Sequence, residues 1–377
     1  MATFKSIACA ATIAASTWLS SHALAQEGVS KSTIVVGQSL ALTGPGSSLA
    51  QPFRDGAKLY FDRVNAAGGV GGRKIELVTM DDRGSPAITV TNTQKLLDRG
   101  VLSLFGYYGS PQVSAAYALI KDSEVLMVAP MAAADQFQGP QFPNVYSLRP
   151  GYSDEAGAIT RHAATLGARK LAILHSTDGE SLAALDAAER VMTKLGASLV
   201  AKASIGSGSV ANSVDKGLEG RPDSILIISD ASGAAGAIRD LRAKGFRGPI
   251  YSFSNAGESL LAEELGPEGA GVVVVRVVPK SDGARFAVVR DLQTDVTAAK
   301  AGKPNVYMLE GYIAARVYVE ALRRASRDLT RAQFKRSLDG LNDVNIGGFR
   351  AHFANNDRVA SRLVELSLID STGRVRE

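Results

Sequence analysis

Ser110 stands in the stretch FGYYGSPQVSAA (105–116), where the strand-like run LSLFG (102–106) passes through Tyr107 and Tyr108 into an alanine-rich helical pattern. Pro111 suits a first helical position, Ser110 the N-cap and Gly109 the flexible residue before it. A turn of this kind points several backbone N–H groups at one spot, which suits an anion. An ordinary capped helix would use the same residues. Other stretches carry the residue types of catalysis without its spacing. GGVGGRK (68–74) lacks the G-x-x-x-x-G-K-[ST] order and stands after a helix and before a strand, the reverse of a phosphate loop, so it reads as a turn. GSGSV (206–210) is not G-x-S-x-G and leads into a helix with no histidine nearby in the chain. His175, Ser176 and Asp178 share one loop, and neighbours on one loop rarely meet the nucleophile–base–orienter geometry. No residue is assigned to catalysis, and these polar groups read as the lining of a ligand cleft.

The elements that position these groups begin after an export signal. Lys5 is followed by an apolar, small-residue run from Ser6 to Leu19 and by Ala23-Leu24-Ala25, an A-x-A cleavage site before Gln26. Cys9, the one cysteine, lies in that segment, and Ser6 stands where a lipoprotein signal favours leucine. The mature chain therefore has no disulfide or cysteine–metal site. His162, His175 and His352 are scattered without ligand spacing, which argues against zinc. The net charge of +5 is spread over both signs without a long basic run, so no nucleic-acid surface is expected. No later segment is long and apolar enough to span a bilayer. The expectation is a soluble periplasmic monomer with no metal or cofactor.

Short, nearly continuous apolar runs recur as IVVG (34–37), IELVTM (75–80), LSLFG (102–106) and VLMVAP (125–130), with helical patterns between them. Runs apolar at every position predict strands buried on both faces of a parallel sheet. The cycle repeats with LAILH (171–175), ILIIS (225–229), PIYSF (249–253) and GVVVV (271–275). The fold class is therefore α/β, with two Rossmann-like, parallel-sheet lobes. A late helix from Pro304, with Val306, Leu309, Ile313 and Val317 on one face, has no strand beside it and is expected to return to the first lobe. The expected division is 26–148 plus 279–352 for lobe 1 and 149–278 plus 353–377 for lobe 2. Ligands collect outside the carboxyl ends of open α/β sheets. That rule gathers 39–46, 106–110, 130–133, 175–178, 229–232 and 254–257 around one cleft.

The motifs LTGPGSS, NAAGGVGGRKIELVTMDDRGSP, FGYYGSP, RPGYSDEA, GYIAARVYVEALRRA and IGGFRAHF, in this order over nearly the whole mature chain, resemble the type I periplasmic binding proteins of the leucine/isoleucine/valine-binding family, solute receptors of ABC importers. The resemblance implies two lobes, a three-crossover hinge and a ligand clamped as the lobes close. It also implies that Ser110, with Gly109 and neighbouring N–H groups, holds a ligand carboxylate. The second arm of that clamp reads APMAA (129–133), so Ala132 and Ala133 offer only their backbone where a hydroxyl is usual. Tyr107 or Tyr108 forms an apolar wall or packs in the core, and Tyr152 of RPGYSDEA is placed in the same cleft. The family's acid for a ligand ammonium is replaced by Asn255 in SFSNAGES. Asp178 in DGESLA, or Asp230 after ILIIS, takes that role or caps the following helix.

The implied function is an importer's solute receptor working with an inner-membrane ABC permease. A periplasmic sensor that passes its closed state to a regulator or chemoreceptor is the alternative, and an enzyme the least favoured. The missing acid at Asn255 tilts the ligand slightly towards a plain aromatic or aliphatic carboxylic acid over an amino acid, since an unpaired ammonium would be costly to bury. Cleavage before Gln26 is directly measurable. The intact mass of the exported protein should match residues 26–377, and a retained signal or a lipid adduct would refute the export reading.

Overall fold

The computed structural model describes residues 28–376 apart from 207–209, 326–328 and 356. The export signal, the cleavage site before Gln26 and the two serines of GSGSV lie outside the described residues. The first sheet is parallel, in the order β2-β1-β3-β4-β5. Its strands are β1 (Thr33–Leu40), β2 (Lys74–Asp81), β3 (Ser103–Phe105), β4 (Met127–Val128) and β5 (Val145–Tyr146). Ile34, Val36, Leu104 and Phe105 have no exposed surface, as continuous apolar runs demand of strands covered on both faces.

The second sheet has seven strands in the order β14-β13-β10-β9-β8-β6-β7. Its parallel part is β6 (Lys170–His175), β7 (Ser198–Ser204), β8 (Ser224–Ile228), β9 (Ile250–Ser252) and β10 (Val272–Arg276). A hairpin, β11 (Val344–Ile346) and β12 (Phe349–Ala351), precedes β13 (Glu365–Ile369), which pairs antiparallel with β10, and β14 (Val375–Arg376), which pairs antiparallel with β13. The all-parallel expectation for this lobe is thus corrected at one edge. β7 escapes a search for apolar runs because it is an edge strand with mostly exposed or half-buried residues.

The helix Val306–Arg324 packs in the first lobe's core against the helix Ser47–Ala66, with Leu309, Ile313 and Tyr318 fully buried. Phe353 and Ala360 still belong to that core, while β13 belongs to the second sheet. The last crossing between lobes therefore lies between Ala360 and Glu365, beyond the boundary expected at residue 353. Ser147 N–H holds this return by donating to the Arg358 carbonyl at 2.8 Å.

The two helices of the first lobe touch backbone to backbone. A Cβ on Gly311 would lie 1.9 Å from the Phe53 carbonyl oxygen, and one on Gly56 would lie 1.9 Å from that of Met308. Neither neighbour can swing aside, because both are main chain. Gly311→Ala is therefore expected to cost at least about 1–3 kcal/mol by forcing the helices apart. Gly236→Ala, inside the helix Ala231–Ala243 with nothing within 4 Å of the added carbon, should be neutral or stabilising by up to about 1 kcal/mol. Denaturant midpoints compare the pair, and equal midpoints for wild type and G311A would refute the close contact.

Candidate functional site

A cavity of about 420 Å³ lies between the lobes, at the carboxyl ends of both sheets. The first lobe contributes Pro45, Gly46, Leu49, Gly84, Pro86, Tyr108, Gly109, Pro111 and Gln112. The second contributes Ser176, Asp178, Gly179, Glu180, Ser181, Asp230 and Asn255. Two adjacent aspartates set the first lobe's rim. Asp81 accepts from the N–H groups of Leu42, Thr43 and Arg83 and from the Thr43 hydroxyl, and Asp82 accepts from Ser39 Oγ, Thr89 Oγ1 and Gly84 N. The turn 42–46 and the turn 83–86 are thereby tied to each other beside the cavity.

The cradle at Ser110 holds a carboxylate, and it is the protein's own. Ser110 N–H donates to Glu180 Oε2 at 2.5 Å, Ala133 N–H to Glu180 Oε1 at 3.1 Å and the Tyr152 hydroxyl to the same oxygen at 2.9 Å. Ser110 Oγ accepts from Ala134 N–H at 3.2 Å instead of facing a ligand. Glu180 sits in the first turn of the helix Gly179–Lys194 of the second lobe, so this contact bridges the cleft.

Of the residues singled out in the sequence, Gly109, Tyr108, Asp178, Asp230 and Asn255 line the cavity. Ser110, Ala133 and Tyr152 form the wall that holds Glu180. Tyr107 does not face the cleft: it is fully buried in the first lobe, its hydroxyl 3.1 Å from Thr93 Oγ1. Ala132 is likewise packed in that core, and these two positions are corrected from lining to support. Asp178 and Asp230 both act as helix caps while lining the cavity: Asp178 Oδ1 accepts from Glu180 N and Ser181 N, and Asp230 Oδ1 from Gly233 N. The sequence reading missed Glu180 and Gln112. An acid two residues past a cap at a sheet's carboxyl edge, facing an anion cradle, is the signal that could have found the first.

The match to the description "Periplasmic binding protein" spans residues 33–374. The chain is a type I periplasmic binding protein. An amino acid binding protein of Pseudomonas aeruginosa is 24% identical over 301 residues, covering 78% of this chain and 77% of that one. A substrate-binding periplasmic protein from Ralstonia solanacearum, 27% identical, superposes with a TM-score of 0.82 over 91% of this chain and 99% of its own. A fatty acid ABC transporter substrate-binding protein from Thermomonospora curvata has a TM-score of 0.83 at 23% identity over 93% and 92%. The fold and the relatives are those of binding proteins and not of enzymes. No helix among the described residues is long and apolar enough to cross a membrane.

The hinge of this binding protein is built on buried charge. Arg149, on the first crossing and 4% exposed, lies 3.2 Å from Glu155 of the second lobe and 3.6 Å from Glu310 of the first, and also donates to Ser254 Oγ. Burial works against its charge, but Glu310 and Glu155 outweigh that and raise its pKa above the ordinary arginine value. Burial raises the carboxyls of Glu155 and Glu310, with Arg149 opposing. The Tyr307 hydroxyl of the first lobe adds a clasp, donating to the carbonyls of Asn255 at 2.7 Å and Ser254 at 3.2 Å.

Among the described residues, the amide oxygens of two lining side chains, Gln112 Oε1 and Asn255 Oδ1, are enclosed without a hydrogen-bond partner, each at a cost of about 1–3 kcal/mol. Glu258 is a third buried oddity, 1% exposed, with Oε2 unpartnered. Burial pushes its carboxyl up to about 7, against the pull of Arg276. Between 4.5, its value when unfolded, and about 7, the unfolded chain releases a proton that the folded protein keeps. Stability from this group is therefore present below that window, falls as pH rises through it and levels off above. Glu258→Gln should remove up to about 3 kcal/mol of the fall. Urea unfolding at a series of pH values tests it, and parallel curves for the two proteins would count against it.

Proposed function

We propose that this protein is the periplasmic solute receptor of an ABC importer, capturing a small organic molecule between its lobes and presenting the closed form to an inner-membrane permease. The observation that carries the reading is the cavity itself, walled by both lobes and sized for a small molecule, with a hinge and a clasp that hold the lobes together. The expected carboxylate ligand meets two obstacles. Glu180 already occupies the donors of the cradle, and among the described residues the lining includes three acids and no lysine or arginine. A plain carboxylic acid would add its charge to that set without a counter-charge, which disfavours it. An amino acid answers half of the problem, because its ammonium suits Asp178 or Asp230 while its carboxylate needs Glu180 to leave. Support therefore moves from the plain acid to a ligand with a cationic nitrogen.

Small-angle scattering against amines, amino acids and carboxylic acids identifies solutes that change the separation of the lobes. The loaded protein should then raise ATP hydrolysis by its reconstituted permease. A solute that closes the lobes with no response from the permease would refute the importer role.

A further inference from the structure

We infer that Glu180 is a resident occupant of the carboxylate cradle, and that the ligand is an organic cation with an apolar body and no carboxylate. This rests on the reading of the protein as a solute receptor. Both oxygens of Glu180 are engaged by three donors, two from backbone N–H groups and one from Tyr152, and the side chain is 8% exposed. A free carboxylate would compete for the same donors with an anion attached to the second lobe. A tethered group competes at an effective concentration on the order of mM or more, so a free carboxylate of equal intrinsic affinity loses. Filling the cradle from within also supplies the contact between lobes that a bound carboxylate would otherwise make.

The rest of the cavity lining carries negative charge. Gln112 and Asn255 are each 7% exposed, and each has its amide oxygen without a partner. The Gln112 Nε2 donates to the Gly84 carbonyl at 2.9 Å, which fixes the amide and encloses Oε1 beside Gly109, so the charge of the lining and not these amides must select the ligand. Asp178 and Asp230 add negative charge on the second lobe's side. The cation Arg149 is already set between Glu155 and Glu310 and is not among the lining residues. An ammonium or amidinium head brings several N–H donors and one positive charge to Asp178 and Asp230. Pro45, Leu49, Pro86, Tyr108 and Pro111 provide apolar surface for a hydrocarbon body.

Two measurements test the assignment. In the first, the melting temperatures of the mature protein and of its E180A and E180Q variants are followed in sodium acetate against sodium chloride at equal ionic strength. E180A should gain a saturable, acetate-specific stabilisation at least tenfold more sensitive than any in wild type, as acetate enters the emptied cradle. If E180A does not fold, E180Q, whose amide NH2 must face one of the cradle's donors and so holds it weakly, should show the same acetate specificity at lower sensitivity. An equal acetate response in wild type and variants overturns residence of Glu180 in the cradle. In the second, calorimetry compares 3-methylbutylamine, leucine and 4-methylpentanoate, and then 2-phenylethylamine, phenylalanine and 3-phenylpropanoate. Wild type should bind an amine at least tenfold more tightly than its matched amino acid or acid, D230N should weaken that amine at least tenfold, and E180A should shift preference towards the amino acid. Tighter binding of leucine, phenylalanine or either acid overturns the cationic assignment and leaves the receptor reading intact, as does binding of neither amine when another solute closes the lobes. Failure of every solute to change the lobe separation sinks the receptor reading itself.

Discussion

A guanidinium with almost no exposed surface sits where the chain first passes from one lobe to the other. Arg149 cannot be buried alone, since an uncompensated buried charge costs about 3–5 kcal/mol. Its partners come from both sides, Glu310 from the first lobe and Glu155 from the second, and Ser254 links it to the turn that carries Asn255. The arrangement that satisfies this charge is therefore also the one that sets the lobes face to face. The reach of Tyr307 to the Ser254 and Asn255 carbonyls, and of Glu180 to Ser110 and Ala133, depends on it.

Much of the architecture was legible because strands covered on both faces must be apolar at consecutive positions. β1, β6, β8 and β10 announce themselves in this way, with Val36, Ile173, Ile227 and Val274 fully enclosed. The same logic fails at and beside the edges of the second sheet. β7 shows Ser198, Leu199, Lys202 and Ser204 to solvent, and β13 exposes Leu368, so neither carries the signal of an enclosed strand. β4 and β5 are two residues long each, too short for a periodic pattern to separate them from loop.

The candidate site divides along a similar line. Turn chemistry is local, so the Ser110-Pro111 start of a helix and the capping aspartates could be read from neighbours in the chain. What meets them is not local. The anion in the cradle comes from Glu180, far along the sequence and on the other lobe, and nothing within 105–116 specifies whose oxygen the N–H groups receive. Tyr107 and Tyr108 show the limit most plainly. Adjacent residues at a strand end point to opposite sides, and one enters the core while the other lines the cavity.

The glycine contact between the helices Ser47–Ala66 and Val306–Arg324 bears on the order in which the chain can fold. The first lobe's interior includes Leu309, Ile313, Tyr318 and, later still, Phe349 and Phe353, so its opening β-α-β units have no completed core while the chain is still emerging. Loop closure across the entire second lobe must come before these distant contacts can contribute. A lobe assembled from both ends of the sequence stays unfinished until almost all of the chain is available.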